Sequence, residues 1–125
     1  MSPDNPTILY VDDDYFNITL FELNFKSQFN VVSASSGEEA LRIMTDNPKI
    51  SCVVSDMRMP EINGIELINR IKKLRPELPC FLLTGYVDSQ EVVEAIEKNL
   101  IIGYFNKPFD REAVIRTLKS TINAE

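Results

Sequence analysis

Charged and hydroxyl side chains stand directly after four of the five short apolar segments in this sequence. They are Asp12, Asp13 and Asp14 after the first segment, Asp56 after the third, Thr84 after the fourth and Lys107 after the fifth. If these segments are strands of one parallel sheet, their carboxyl ends lie along a single edge, where such sheets bind ligands. The pattern therefore predicts one site built from side chains that are far apart in the sequence.

Three carboxylates at one edge of a sheet would repel one another. Two unit charges about 5 Å apart interact by about 3 kcal/mol at an effective dielectric constant near 20. Either one of Asp12, Asp13 and Asp56 is protonated, or a cation lies among them. Oxygen ligands without imidazole or thiolate favour a hard ion such as Mg²⁺, and the sequence contains no histidine. A cation in this place would allow a carboxylate to accept a phosphoryl group despite its own charge.

The spacing of strands favours Asp56 as the centre of the site. In a doubly wound sheet of order 2-1-3-4-5, the third strand is central. Neighbouring strands lie about 4.8 Å apart, so Asp12 and Asp13 would flank Asp56 on one side. Thr84 would flank it on the other side. Lys107 would start about 10 Å away and has the longest charged side chain of the set, so all of these groups could meet only at Asp56.

Five predicted strands alternate with five helical patterns. The strands are predicted at Thr7–Val11, Asn30–Ala34, Ser51–Ser55, Cys80–Leu83 and Ile101–Phe105. Helix starts are indicated at Asp14, at Ser36 with Glu39, at Asp88 with Glu91, and at Asp110. Strict alternation predicts an α/β fold with a doubly wound, five-stranded parallel sheet of order 2-1-3-4-5 and five helices. We expect a single domain over residues 1–125, with the fifth helix ending near Asn123.

Composition narrows the classes of function. The net charge of −6 argues against direct binding of nucleic acid, because phosphate contacts need basic side chains. Residues 1–6 lack the features of a signal peptide, and no apolar run approaches the roughly 20 residues that span a bilayer. We therefore expect a cytoplasmic protein without membrane insertion. Cys52 and Cys80 lie in apolar segments and are expected to be buried free thiols.

Four segments carry a resemblance to a known family. They are Ile8–Asp14 (Ile-Leu-Tyr-Val-Asp-Asp-Asp), Val53–Gly64, Leu82–Tyr86 and Tyr104–Phe109. In their order and spacing they resemble the receiver domains of two-component response regulators, which have a CheY-like fold. Each residue alone has an ordinary structural explanation, such as a helix cap or a surface lysine. All four segments together are specific to this family.

The resemblance implies a role for each acidic residue of the site. Asp56 would be the phosphoacceptor. Asp13 would bind Mg²⁺ directly and Asp12 mainly through its water molecules. The main-chain carbonyl of Arg58 would complete the protein's ligands to the ion, and Lys107 would pair first with the acceptor carboxylate and then with the phosphate.

The resemblance also implies a switch. Thr84 would donate a hydrogen bond to a phosphoryl oxygen, and Tyr104 would turn inward when Thr84 moves. The peptide bond between Lys107 and Pro108 would be cis. Arg58 and Tyr86 follow Asp56 and Thr84 by two residues, and we expect these large side chains to shield the aspartyl phosphate from water and lengthen its lifetime.

Partners follow from the same resemblance. A histidine kinase or a phosphotransfer protein would donate the phosphoryl group. A downstream protein would bind the surface around the fourth helix, the fifth strand and the fifth helix, and homodimerisation on phosphorylation is a further expectation. The protein would be a regulatory phosphoacceptor, with only magnesium-dependent self-phosphorylation and autodephosphorylation as chemistry of its own. The initial Met is typical of a natural amino terminus, and the sequence shows no output domain after the fifth helix, so the protein acts through contacts or is part of a longer chain.

Three other functions stay open from the residues. A phosphatase of the haloacid-dehalogenase type also uses aspartate and Mg²⁺, but it normally has an Asp-x-Asp arrangement after the first strand and a cap domain. A nucleotide or flavin binder would need a backbone rich in Gly, Ser or Thr in that place, where this chain has three aspartates. A receiver that has lost its chemistry and serves only as a binding module would lack one of the key residues.

Overall fold

The structure is a computed structural model that describes residues 4–85 and 90–123. Within these ranges five parallel strands form one sheet in the order β2-β1-β3-β4-β5. The strands are β1 (Thr7–Val11), β2 (Asn30–Ala34), β3 (Ile50–Asp56), β4 (Cys80–Thr84) and β5 (Gly103–Asn106). The predicted fold class and strand order are confirmed.

A helix follows each strand. The helices are α1 (Tyr15–Phe25), α2 (Gly37–Asp46), α3 (Gly64–Leu74), α4 (Gln90–Glu97) and α5 (Arg111–Asn123). Three predicted helix starts are confirmed by side-chain oxygens that accept hydrogen bonds from backbone N–H groups of the first turn. These bonds join Asp14 to Phe16 at 2.9 Å, Ser36 to Glu39 at 3.1 Å and Asp110 to Ala113 at 3.2 Å. The predicted cap at Asp88 lies outside the described residues.

Alternate residues of each strand point to opposite faces of the sheet, and the two faces are packed with different side chains. The face covered by α2, α3 and α4 has a buried cluster of aliphatic, Met and Cys side chains, with no aromatic ring among the described residues. We call it the aliphatic face. The face covered by α1 and α5 buries Tyr10, Phe21, Phe25, Phe29 and Phe81, and we call it the aromatic face.

Two strand boundaries differ from the prediction in ways that affect the site. Strand β3 was predicted to end at Ser55 but includes Asp56, whose pairing with Leu83 of β4 fixes its position. Strand β5 begins at Gly103 instead of Ile101. The Ile101 N–H donates to the Ala95 carbonyl at 3.4 Å, so Ile101 closes the end of α4, and its side chain packs into the aliphatic face.

The structure describes the two cysteines and the length of the helices. Cys52 and Cys80 are buried free thiols, as predicted. Burial raises the pKa of the Cys80 thiol to about 12, so this thiol stays protonated at neutral pH. Among residues 4–85 and 90–123, no helix has the length and apolar character needed to cross a bilayer.

Candidate functional site

Three carboxylates meet at the carboxyl edge of the sheet. Strands β1 and β3 are paired with Val11 opposite Ser55, so the residues that follow these two positions are neighbours. Carboxylate oxygens of Asp12, Asp13 and Asp56 all lie within 4.8 Å of one another. Asp12 and Asp56 are buried and Asp13 is exposed. The predicted cluster is therefore present, with one member open to solvent.

The carboxylate of Asp12 is held by two donors. Its Oδ2 accepts a hydrogen bond from the Tyr10 hydroxyl at 2.7 Å, and its Oδ1 accepts one from the Asp14 N–H at 3.0 Å. Burial, together with the bond to Asp12, raises the pKa of the Tyr10 hydroxyl well above its ordinary value. The hydroxyl therefore stays protonated and acts as the donor. In the sequence Tyr10 is only part of the first apolar segment, and this polar contact is not among the predictions, although residues i and i+2 of a strand share a face.

The side chain of Lys107 reaches Asp56 across β4, from the direction opposite to β1. Lys107 Nζ lies 2.6 Å from Asp56 Oδ1, and the two side chains are 35% and 7% exposed. Burial raises the pKa of the Asp56 carboxyl; the hydrogen bond from Lys107 opposes this change and the charge of Asp12 adds to it. The predicted approach of Lys107 to the central carboxylate is confirmed.

The backbone of Lys107 is bonded to the end of β4. The Lys107 N–H donates to the Thr84 carbonyl at 3.0 Å, and the Lys107–Pro108 peptide bond is cis, as expected. Thr84 is the last residue of β4, is 1% exposed and follows Leu83, the partner of Asp56 in the register. Thr84 thus lies at the same edge as the acidic cluster.

The remaining predicted site residues lie around this centre. Tyr104 pairs with Leu82 of β4 in the register and is 37% exposed, so its ring reaches solvent in this structure. Its inward turn concerns a phosphorylated state and stays a prediction. Arg58 is exposed in the segment after β3, and the role of its carbonyl stays a prediction as well. Tyr86 lies outside the described residues.

The segment between β3 and α3 is tightly packed against the acceptor. From the sequence, a glycine after Asn63 at the start of the third helix predicts a turn that needs a positive φ. Gly64 does not have a positive φ, so this prediction is wrong. A Cβ atom at Gly64 would lie 2.5 Å from the Asp56 carbonyl oxygen and 2.8 Å from Leu82 Cδ2. The glycine is required by close approach, and the positive φ of this segment, 69°, falls at Glu61.

Two more contacts hold this segment, and neither is among the predictions from the sequence. Asn63 and Glu66 form a capping box at the start of α3, which the Asn-x-x-Glu spacing indicates. The side chain of Ile62 packs against Gly37, because a Cβ atom at Gly37 would overlap it. The segment is thereby joined to the start of α2.

The donor set suits a hard divalent cation. All three clustered side chains offer carboxylate oxygens, and these are the ligands that Mg²⁺ prefers in proteins. A cluster with two buried acids and one exposed acid also leaves a side open from which an ion or a phosphoryl group can approach. The residues present therefore fit a magnesium ion.

The chain is similar in sequence to known proteins. Residues 8–119 match the response regulator receiver domain family. The chain is 27% identical over 125 residues to the hydrogenase transcriptional regulatory protein HoxA of Cupriavidus necator and 33% identical over 123 residues to the transcriptional regulatory protein ZraR of Escherichia coli. These matches cover 100% and 98% of this chain but only 26% and 27% of the relatives, so the chain spans about a quarter of their length.

A solved structure gives the same result. The fold is similar to a response regulator receiver domain protein from Clostridium thermocellum, with a TM-score of 0.88 and 30% sequence identity. That similarity covers 94% of this chain and 94% of the other chain. The family match over residues 8–119 includes Asp12, Asp56 and Lys107.

Proposed function

Because this chain belongs to the response regulator receiver domain family, we propose that Asp56 accepts a phosphoryl group and thereby switches a protein-binding surface. The chain is a receiver domain of the kind found in two-component response regulators. The observation that carries the proposal is the central position of Asp56, whose carboxylate contacts Lys107 at 2.6 Å and lies within 4.8 Å of two further carboxylates. No other described residue has both kinds of neighbour.

The proposed transfer makes one bond and breaks one bond. An oxygen of the Asp56 carboxylate forms a bond to phosphorus while the bond from phosphorus to the donor's imidazole nitrogen breaks, and the electron pair of that bond stays on the nitrogen. The donor is a histidine kinase or a phosphotransfer protein; a small acyl phosphate would give up its carboxylate instead. The transferred group carries negative charge on its free oxygens. The Lys107 ammonium, already beside Asp56, stabilises that charge.

We infer that a magnesium ion takes part. Asp12, Asp13, Asp56 and the main-chain carbonyl of Arg58 would hold it, since three of these groups already form an oxygen-only cluster. When bound, the ion would supply positive charge that offsets both the acceptor carboxylate and the phosphoryl oxygens. Without a cation the site has two buried carboxylates close together, and burial of Asp56 raises its pKa, which disfavours the charged nucleophile.

The proposed switch uses residues at the ends of β4 and β5. Thr84 is buried at the edge and would donate to a phosphoryl oxygen, and Tyr104 would then leave its exposed position and turn inward. The changed surface would be that of α4, β5 and α5, and its partner would be a downstream protein or a second copy of the chain. HoxA and ZraR are named as transcriptional regulatory proteins, so regulation of transcription through a protein contact is the proposed output.

Two further side chains would set the lifetime of the aspartyl phosphate. Arg58 is exposed close to the acceptor, where a long side chain can exclude water, and Tyr86 follows Thr84 by two residues. We expect Arg58→Ala and Tyr86→Ala each to speed autodephosphorylation severalfold. Unchanged rates of phosphate release from the labelled protein would remove this part of the proposal.

Acetyl phosphate labelling tests the proposal directly. Wild-type protein treated with acetyl phosphate and Mg²⁺ should gain the mass of one phosphoryl group, and chelation of Mg²⁺ should abolish the gain. Asp56→Asn should stay unmodified, whereas Asp46→Asn, which changes an exposed aspartate at the end of α2, should be labelled like wild type. A wild-type protein that stays unmodified under these conditions would favour the pure binding module.

A further inference from the structure

A buried tyrosine contacts the acidic cluster from the interior of the protein. Tyr10 and Asp12 are two residues apart, so their side chains lie on the same face of β1 and its extension. The Tyr10 hydroxyl donates to Asp12 Oδ2 at 2.7 Å, and the two residues are 1% and 0% exposed. Hydrogen bonds to an ionised carboxylate are roughly twice as strong as bonds between neutral groups.

The ring of Tyr10 has little freedom to move. It stacks on Phe21 with ring centroids 3.9 Å apart and planes 6° apart. Phe21 in turn contacts the rings of Phe25 and Phe109 at centroid distances of 4.5 Å and 6.2 Å. Strand β1 is paired on both sides, with β2 and with β3. Backbone and ring are both fixed, and the hydroxyl oxygen therefore has a fixed place beside Asp12.

Asp12 needs such a partner because its neighbours repel it. Asp56 and Asp13 have oxygens within 4.8 Å of the Asp12 carboxylate, and a side chain free to rotate would turn away from them. The Tyr10 hydroxyl on Oδ2 and the Asp14 N–H on Oδ1 prevent this rotation. Each carboxylate oxygen keeps a second lone pair for other partners.

We propose that Tyr10 is a positioning residue for the divalent cation: its hydroxyl holds the Asp12 carboxylate in the orientation that binds the ion. The inference rests on the magnesium site of the proposed function. A carboxylate that is oriented before the ion arrives binds it without first reorienting against like charges. Loss of a hydrogen-bond partner behind a metal ligand commonly lowers metal affinity by about 10- to 100-fold.

The test uses two tyrosine substitutions that each remove one hydroxyl. Tyr10→Phe keeps the stacked ring and removes the donor to Asp12. Tyr15→Phe removes the hydroxyl of a ring that is 81% exposed and serves as the control. Calorimetric titration of the unphosphorylated proteins with Mg²⁺ should give a dissociation constant about tenfold higher for Tyr10→Phe than for wild type. Tyr15→Phe should match wild type.

The melting midpoint without Mg²⁺ separates positioning from structure alone. A lower midpoint with wild-type Mg²⁺ affinity in Tyr10→Phe would mean that the hydroxyl is only structural, and would overturn the inference. Absence of Mg²⁺ binding by wild type would overturn the magnesium site as well, so the two failures differ. Phe21→Leu keeps the hydroxyl but loosens the ring, and should weaken Mg²⁺ binding by a smaller factor. If Tyr10→Phe does not fold, an unchanged affinity in Phe21→Leu overturns the inference.

Discussion

The aromatic and aliphatic faces of the sheet carry different parts of the site. Asp12 is two residues after Tyr10 and Asp56 is two residues after Val54, so each carboxylate lies on the same face of the sheet as that earlier residue. Tyr10 and Val54 are both buried on the aromatic face. Lys107 is likewise two residues after Phe105, which packs against the aromatic face. Asp12, Asp56 and Lys107 therefore belong to the face covered by α1 and α5, whereas Asp13, two residues after Val11, does not.

The two residues of the proposed switch belong to the other face. Thr84 is two residues after Leu82 and therefore lies on the same face of the sheet. Leu82 is buried on the aliphatic face. Tyr104 lies opposite Leu82 in the register of β4 and β5. The nearest cover on this side includes α4 (Gln90–Glu97), which at eight residues is the shortest described helix.

The difference in packing suggests why the parts are divided in this way. The single ring of Phe21 contacts three others, those of Tyr10, Phe25 and Phe109. Rings packed in this way restrict movement, because close-packed interiors tolerate little change of shape. Aliphatic and Met side chains adapt more easily to a shift of a neighbouring helix. Groups that must stay in place rest on the stiffer face, and groups proposed to move rest on the more adaptable one.

The largest expected effect comes from breaking the aromatic face. Phe21→Ala should lower the free energy of unfolding by about 4 kcal/mol, because it removes a fully buried ring and leaves a cavity. Met44→Ala, a buried substitution on the aliphatic face, should cost about 2 kcal/mol. Urea unfolding of both variants measures the difference. An equal or larger loss in Met44→Ala would contradict the contrast between the faces.

A smaller effect is expected from Lys107→Met, which removes the cation beside Asp56. The loss of its hydrogen bond should raise the pKa of the Asp56 carboxyl further. Breaking a fully buried ion pair costs about 3–5 kcal/mol, but water screens a lysine that is about one-third exposed, so we expect about 2 kcal/mol at neutral pH. Lys49→Met, at an exposed position, is the control. Equal unfolding free energies for the two variants would show that the ion pair does not stabilise the fold.

The third substitution, Asp56→Asn, should raise the free energy of unfolding, whereas the first two should lower it. Burial raises the pKa of Asp56 in the folded state, so between the unfolded and folded pKa values the native state binds more protons than the unfolded state. The contribution of this group to stability is then complete below the unfolded pKa and is lost as pH rises through the folded pKa. Asp56→Asn should remove that loss and, without Mg²⁺, stabilise the protein at pH 7 by on the order of 1 kcal/mol.

Thermal melting of Asp56→Asn and wild type with a chelator, over a series of pH values from acid to neutral, measures this effect. The difference in melting midpoint should grow with rising pH and vanish toward the unfolded pKa of an aspartate. Asp46→Asn, which removes an exposed charge at the end of α2, is the control. A difference that shrinks as pH rises would mean that Lys107 outweighs burial.

The smallest effect on stability is expected on the aliphatic side of β5. Tyr104→Ala should change the free energy of unfolding by no more than about 0.5 kcal/mol, because the ring is partly exposed. It should nevertheless reduce the change in hydrogen exchange that acetyl phosphate causes in residues 90–106. A response like that of wild type would show that Tyr104 takes no part in the switch.

Much of this arrangement follows from strand and helix patterns in the sequence. The bounds of β1 and β2 were predicted to the residue, since their apolar segments end at polar residues. The meeting of Asp12, Asp13, Asp56 and Lys107 followed from parallel strand order alone. The roles of Thr84, Tyr104 and Arg58 depend on states with bound ion and phosphate, so they stay predictions.

Other features depend on packing that a single sequence does not display. Ile101 reads as part of a strand, but its burial against the aliphatic face has another cause, the closure of α4. Gly64 reads as a turn glycine, whereas its lack of a side chain is needed by the carbonyl of Asp56. The bond from Tyr10 to Asp12 was accessible in principle from the two-residue spacing, but a tyrosine among apolar neighbours indicates core first.

The contact between Ile62 and Gly37 has a consequence for how such chains diverge. Ile62 fills the space in which a side chain at position 37 would have to lie. A mutation that enlarges residue 37 therefore requires the Ile62 side chain to move or to become smaller. In related chains, side-chain size at positions 37 and 62 should covary, with a larger residue at one position accompanied by a smaller residue at the other, even though neither position belongs to the phosphoryl-accepting site.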